Sequence, residues 1–195
     1  MTSGPALGIL ELSSIARGIV AVDALVKRAE VSVLSAGPTT PGKYVIVFAG
    51  GEAEVHESIC AAIEVADGMV IDSLELPSPD PSILPAIIAE STPPDSPIES
   101  LGVLELTGVA AAVRSLDAAL KAANVRLVHL HLARGIGGKG YWLVSGALHD
   151  VEAAIEHGDA ACLPVHRVGR EIVPRPHADI GDRIDLFNPA QSRRF

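Results

Sequence analysis

LGILELSSIARGIVAVDALVKRAEV, residues 7–31, and LGVLELTGVAAAVRSLDAALKAANV, residues 101–125, are two copies of one stretch at a constant offset of 94 positions. Eleven of the 25 aligned positions are identical. The similarity resumes after a two-residue insertion, where Gly42-Lys43 aligns with Gly138-Lys139. A register that persists over about fifty residues indicates an internal repeat. The sequence therefore predicts two modules of about 90 residues each.

Composition narrows the possible functions. The net charge is −9 and no block of basic residues is present, so a nucleic-acid-binding surface is not expected. No run reaches the roughly 18 apolar residues of a membrane helix, and the N-terminus lacks the pattern of a secretory signal. The two cysteines, Cys60 and Cys162, form no CxxC pair. We interpret them as buried, reduced thiols of a cytosolic protein.

The first helix of each module has one apolar stripe. A strand over Ala6–Leu12 precedes it. Apolar residues then recur three and four positions apart, at Ile15, Ile19, Val22 and Val26 and in the same columns of the second copy, at Val109, Val113, Leu116 and Leu120. This spacing predicts a helix in both copies, and we expect the stripe to face the core of its own module.

The remaining elements follow in the same order in both copies. They are predicted at Val31–Ala36, Tyr44–Ala49, Glu52–Ala66 and Met69–Leu76, and at Val125–Ala133, Tyr141–Ser145, Ala147–Ala161 and Leu163–Val173. Each module is therefore a β-α-β-β-α-β, ferredoxin-like α+β unit with helices on one face of an antiparallel sheet. The predicted domains are residues 1–89 and 100–195, joined by an extended Pro/Ser-rich linker at 90–99.

The loop Gly135–Gly140 satisfies the dinucleotide-binding pattern G-x-G-x-x-G. That site needs a helix directly after the glycines, whereas Tyr141–Val144 reads as a strand. The glycines are therefore assigned to a hairpin loop. His129 and His131 point to one face of the preceding strand and lack a third ligand nearby, which favours a buried or inter-subunit polar stripe over a metal site.

The repeated pair Asp23 and Lys27, with its copy Asp117 and Lys121, has the spacing of an exposed helical ion pair. Glu11 and Glu105, inside the first strands, stay ambiguous. No Ser-His-Asp or Cys-His spacing supports catalysis, so no catalytic residue is assigned.

The module resembles the bacterial microcompartment (BMC) shell domain. The resemblance is carried by the GILEL and GVLEL first strands, the helix ends at Asp23–Val31 and Asp117–Val125, the small-residue turns before the third strands, and Val173–His177. Two such domains in one chain are similar to the tandem, T-type shell proteins of propanediol-utilisation compartments.

The resemblance implies a non-enzymatic homotrimer whose six domains form a pseudohexameric tile. Such a tile packs beside other shell proteins, hexamers and pentamers, in a shell in the bacterial cytoplasm that holds encapsulated enzymes, with neither nucleic acid nor membrane as a partner. By the family's pattern Lys27, Lys121, Arg175 and His177 lie at tile edges. The first copy departs from that pattern, because Pro77–Asp80 stands where the second copy has Pro174–His177.

The same resemblance places two loops around a central pore that passes small polar metabolites, with Pro38, Thr39, Thr40 and Pro41 from one loop and Arg134, Gly135, Ile136 and Gly137 from the other. T-type relatives carry a cysteine in the first loop, and three copies bind an iron–sulfur cluster. This chain has Thr40 there, and a hydroxyl does not replace a thiolate as a cluster ligand. We therefore expect no iron–sulfur cluster, no other metal and no cofactor.

Two other classes of function stay open. Duplicated β-α-β-β-α-β units also occur in small-molecule-binding regulatory modules, which would use the glycine loops for ligand contact and remain discrete oligomers. An enzyme with an active site between modules lacks a supporting set of residues. Self-assembly into sheets separates the shell tile from the regulatory module.

Overall fold

The computed structural model describes residues 5–89, 98–177 and 180. The first module contains β1 (Ala6–Leu12), α1 (Ile15–Arg28), β2 (Val31–Thr39), β3 (Lys43–Gly50), α2 (Glu52–Val65) and β4 (Val70–Leu76), followed by a short helix α3 (Ile83–Ala89). The second contains β5 (Ser100–Leu106), α4 (Val109–Ala122), β6 (Arg126–Leu132), β7 (Gly140–Gly146), α5 (Leu148–Ala160) and β8 (Arg167–Pro174). The predicted duplication of a β-α-β-β-α-β unit is confirmed.

Each module forms one antiparallel sheet of four strands. The strand orders are β2-β3-β1-β4 and β6-β7-β5-β8, so the first strand of each module lies in the interior of its sheet. All seven residues of β1 are buried. A central strand that is covered on both faces needs apolar residues at nearly every position, which is why the GILEL and GVLEL strands read as continuous apolar runs.

Helices α1 and α2 cover the face of the first sheet that carries Leu10 and Leu12. They share a buried cluster with these residues through Leu25, Ile46 and Phe48, among others. The packing explains the glycine found in both first strands. A Cβ at Gly8 would lie 2.3 Å from the Phe48 ring, and one at Gly102 would lie 2.8 Å from Val151.

The opposite face of the first sheet is covered in part by α3. Ile83 and Ala86 of this helix belong to the same buried cluster as Leu7, Ile9 and Leu74 of the sheet. Leu7 and Ile9 alternate along β1 with the residues that face α1 and α2, so the two sets point to opposite faces. Both faces of the first sheet thus lie under a helix.

Three sequence predictions change or stay untested. The last strand begins at Arg167 instead of Leu163, because Pro164–His166 form a 3₁₀ turn. The interpretation of both cysteines as buried is wrong, since Cys60 is exposed and Cys162 is only partly covered. Positions 90–97 of the predicted linker lie outside the described residues. Within the described residues, no helix is long and apolar enough to cross a membrane.

Candidate functional site: the module junction and the paired loops

Helix α4 lies between its own sheet and the first module. Its stripe residues Val109, Val113 and Leu116 have no exposed surface, and they share one buried cluster with Leu7 and Leu74 of the first module. A helix that is apolar on nearly all sides is one covered on nearly all sides. The repeated stripe therefore forms a junction between modules.

In α1 the same stripe is mostly uncovered by the described residues, apart from Val22, which packs against the core of its own module. Ile15, Ile19 and Val26 are 43%, 59% and 45% exposed, whereas Gly18, Ala21 and Leu25 are buried against the sheet. The prediction that the stripe faces its own core is thus wrong for Ile15, Ile19 and Val26 of α1, whereas the α4 stripe lies in a cluster that joins the cores of both modules. Periodicity identifies an apolar face but does not identify the surface that covers it.

Glu11 closes the junction with a charged contact. Its side chain is 1% exposed, and it accepts hydrogen bonds from the Ala110 amide at 2.8 Å and from the Lys43 ammonium at 3.3 Å. The Ala110 amide belongs to the first turn of α4, where the helix dipole favours a negative charge. Lys43 also donates to the Thr107 carbonyl at 3.3 Å. The carboxylate thus binds the first turn of α4 to the first module.

The counterparts of Glu11 and Lys43 form only part of this arrangement. Glu105 accepts from Lys139 at 2.7 Å, and its side chain stays 36% exposed. Sequence analysis left both glutamates ambiguous. The signal that would have identified them was a carboxylate retained at the same position of two otherwise apolar strands.

All four predicted edge residues are exposed in the single chain, and one of them also contacts the other module. Lys121 lies at the junction, where it donates to Asp117 at 2.6 Å and to the Ser78 carbonyl at 2.7 Å. Asp117 also accepts from the Asp80 amide at 2.8 Å. The other three are Lys27, which donates to Asp23 at 2.7 Å, Arg175 and His177.

The two predicted pore loops lie against each other although they come from different modules. The Thr39 hydroxyl donates to the Ala133 carbonyl at 3.0 Å, and a Cβ at Gly138 would lie 2.7 Å from the Thr40 carbonyl oxygen. Most of the predicted pore residues are exposed: Pro38, Thr40, Pro41, Arg134, Gly135 and Gly137, with Thr39 and Ile136 partly buried. The structure thus brings the predicted pore residues together in one paired surface.

The glycines of the second loop serve its backbone conformation. Gly135, Gly137 and Gly138 have φ values of 72°, 70° and 76°, which side chains disfavour. The strand β7 begins directly afterwards, at Gly140. The hairpin assignment is confirmed, and the helix that a pyrophosphate site requires is not formed by this segment.

A buried aromatic cluster supports that loop. His129 and His131 are buried, and each ring centroid lies 5.4 Å from that of Tyr141. The Nε2 atom of His131 lies 2.6 Å from the Arg134 carbonyl and ties the loop to β6. Burial raises the pKa of Tyr141 to about 12. Among the described residues, no group of three or more His, Cys, Asp or Glu side chains is arranged to hold a metal ion.

A cavity of about 220 Å³ lies behind the paired loops. Its walls come from both modules and are mainly apolar, with Val45 and Val47 on one side and Leu130 and Leu132 on the other. Thr39 lies on its lining as well as in the predicted pore. Its apolar walls and its place between the modules suit a small bound molecule.

Comparison with known proteins identifies the repeated unit. The BMC domain matches residues 6–79 and 100–176. The chain is 39% identical to the bacterial microcompartment shell protein PduT of Citrobacter freundii, over 88% of this chain and 93% of the relative. The shell protein PduA of the same organism is 37% identical over 42% of this chain and 87% of its own length. The latter match corresponds to a single module.

A solved structure shares the tandem arrangement. The crystal structure of a microcompartment protein from Desulfitobacterium hafniense superimposes with a TM-score of 0.80 at 35% identity. The match covers 91% of this chain and 98% of that chain. The likeness therefore extends over both modules and their junction.

Proposed function

Since this chain belongs to the BMC-domain family and carries two such domains in tandem, we propose that it is a non-enzymatic structural tile of a bacterial microcompartment shell. In this role it is a homotrimer in the cytoplasm of a bacterium, beside other shell proteins. The observation that carries the proposal is the exposed stripe of α1, because its copy on α4 is buried against another module.

The junction inside the chain is a heterologous contact between two different surfaces. One surface is the α4 stripe, and the other is the side of the first module that carries β4 and Leu74. The chain repeats both surfaces at its open ends, as the α1 stripe and as the side that carries β8. A heterologous contact that repeats through a closing rotation forms a ring. Three chains joined in this way give a ring of six modules.

Two polar contacts of the junction within the chain have equivalent residues at the proposed contact between chains. In the ring, Glu105 and Lys139 of one chain would meet the amide of Ala16 of the next, as Glu11 and Lys43 meet Ala110. Asp23 and Lys27 would meet the segment Arg175–His177, as Asp117 and Lys121 meet Ser78–Asp80. Lys27, Arg175 and His177 would then lie near the place where two chains meet, with Lys121 at the equivalent inner position. All four are exposed in the single chain and stay proposed as contacts at the edge of the tile.

The paired loops support a pore on the ring axis. Three copies of the pair would place Thr39, Thr40 and Arg134 around one opening. Hydroxyls, backbone amides and a guanidinium suit small polar or anionic metabolites. A bulky substitution, Thr40→Trp, would reduce metabolite passage through shells that contain this protein. Unchanged flux in that variant would argue against a conducting pore.

The pore loops do not fit an iron–sulfur cluster. Cys60 lies on α2 and Cys162 follows α5, and no other cysteine exists in the chain. Threonine at position 40 leaves the axis without a thiolate. We therefore expect protein that is purified without oxygen to contain no stoichiometric iron and no visible absorption band. Iron bound to the trimer would contradict this.

The function is tested by the mass and the assembly of the full chain. Light scattering is expected to give about three times the 20.2 kDa of one chain. Negative-stain microscopy at raised concentration is expected to show flat hexagonal arrays. A monomer or dimer that never assembles would contradict the proposed function as a shell tile. It would favour the small-molecule-binding regulatory module, for which the 220 Å³ cavity between the modules is the supporting observation.

A further inference from the structure

A cysteine, a histidine and a glutamate lie in line on the surface of the first module. The Cys60 Sγ atom is 3.8 Å from Nε2 of His56, one turn earlier on α2. The other ring nitrogen, Nδ1, is 3.0 Å from a carboxylate oxygen of Glu75 on β4. Since Nδ1 donates to the carboxylate, Nε2 of the neutral ring is left as a proton acceptor that faces the thiol.

Two carboxylates act on the His56 ring. Glu75 raises the pKa of His56 through its hydrogen bond and its charge, with a smaller contribution from Glu57. Arg28 also interacts electrostatically with Cys60, although it forms its main ion pair with Glu57. An imidazole base or imidazolium beside a cysteine promotes attack by its sulfur.

A groove opens next to the sulfur. It has a volume of about 180 Å³ and is lined by Arg28, Glu57, Cys60, Ala61 and Glu64. The groove gives a small reagent a place to lie against the sulfur, with one cationic side chain and two carboxylates to bind its polar groups. This surface is separate from the module junction and from the pore loops.

The site stays accessible in the proposed ring. The first module already makes one side of the junction within the chain, and the second module already makes the other side. The columns of His56 and Cys60 are occupied by Glu152 and Glu156 in the second module, and all four residues are exposed. A position that is exposed in both modules belongs to neither of the two surfaces that form the junction. It therefore stays exposed when the same junction forms between chains.

We propose that Cys60 is a site of reversible covalent modification, at which the thiol, assisted by His56 and Glu75, forms a mixed disulfide with a small disulfide compound. The sulfur attacks one sulfur of the disulfide, a new S–S bond forms and the old one breaks. The thiol proton passes to Nε2 of His56 and then to the departing thiolate. The products are the modified chain and one free small thiol, and no other oxidant is consumed.

The experiment measures reaction at both cysteines of the full chain with the neutral disulfide 2,2′-dithiodipyridine. Release of pyridine thione is followed by absorbance, and mass spectrometry of peptides separates Cys60 from Cys162. Cys162 is an internal control, because burial raises its pKa and its thiol donates to the Asp159 carbonyl. At about pH 7, Cys60 is expected to react about tenfold faster in the native chain than in the chain unfolded by denaturant.

Variants show whether His56 and Glu75 assist the reaction of Cys60 or whether the exposure of its thiol alone explains the rate. His56→Gln is expected to slow the reaction of Cys60 by about tenfold, and Glu75→Gln is expected to slow it less. His149→Gln removes another exposed histidine, on α5, and should change neither rate. An unchanged rate of Cys162 shows that each variant remains folded. Equal rates for Cys60 with and without His56, or in the native and the unfolded chain, would overturn the proposal whether or not the protein forms a shell tile.

Discussion

Glu11 shows how one carboxylate holds two modules together. A buried charge is unfavourable unless hydrogen bonds replace its hydration, and here a helix amide and a lysine do so. Because Glu11 belongs to the first module and Ala110 to the second, the contact counts only when the modules are docked. Its bond to Ala110 therefore contributes to the junction, and its bond to Lys43 contributes within the first module.

Substitution Glu11→Ala should therefore loosen the junction. It leaves the Ala110 amide without its side-chain acceptor and the Lys43 ammonium with only the Thr107 carbonyl, and we expect a loss of about 2–4 kcal/mol in the free energy of unfolding. Urea denaturation measures this loss. Glu156→Ala, at an exposed position of α5, should change stability by no more than about 0.5 kcal/mol. Equal losses in the two variants would show that the buried contacts of Glu11 contribute no more to the free energy of unfolding than an exposed side chain does.

The pair of His56 and Glu75 predicts a dependence of stability on pH. Glu75 raises the pKa of His56 in the folded chain above its ordinary value of 6.5. The stabilisation is therefore fully present below that ordinary value, and it is lost as the pH rises through the folded pKa. The melting temperature of Glu75→Gln should fall further below that of the wild type at about pH 5.5 than at about pH 8.5. NMR titration should show a lower pKa for His56 in the variant, and a constant melting-temperature difference would contradict the pairing.

The helices α1 and α4 show how far periodicity reaches. The spacing of apolar residues correctly predicted both helices and their common stripe. Small residues such as Gly18 and Ala21 pack on the sheet, since small side chains let a helix approach a sheet closely. The spacing of large apolar residues could not indicate this. The spacing predicts a stripe that faces the module core. Nothing in the sequence indicates that a second module covers most of it instead.

An acidic residue on the α1 stripe should block assembly without unfolding the chain. Ile19 is 59% exposed in the single chain, so Ile19→Asp costs little there but buries a charge in the proposed ring. Light scattering is expected to show a monomer, and circular dichroism a folded protein. The matched control is Ile63→Asp on α2, a 40% exposed residue whose counterpart is Asp159, and it should remain trimeric. A trimeric Ile19→Asp variant would exclude the stripe as the contact between chains.

At the scale of the whole molecule, the repeat in the sequence predicted the two modules and the order of their elements. It did not give the strand order, which depends on contacts between distant residues. The junction could not be seen either, because Glu11, Ala110 and Leu74 meet only after both modules fold. The family resemblance predicted that both loops surround a pore. The contact between the two loops of one chain, with its hydrogen bond from Thr39 to Ala133, emerges only from the structure.

A heterologous ring makes a further prediction about mixtures of variants. Ile19→Asp impairs only the α1 side of the chain. Val173→Asp changes the β8 side, at the counterpart of Leu76, and Val173 is 37% exposed in the single chain. Each variant alone should be monomeric, because every contact between chains needs both sides.

Mixed in equal amounts, the two variants should form a dimer and nothing larger. The intact β8 side of one chain meets the intact α1 side of the other, and both remaining ends are blocked. Light scattering of each variant and of the mixture measures this directly. An isologous contact, in which one patch meets its own copy, would not be restored by mixing. A mixture that stays monomeric while the wild type is trimeric would therefore show that these two sides do not meet, and the ring would need another interface.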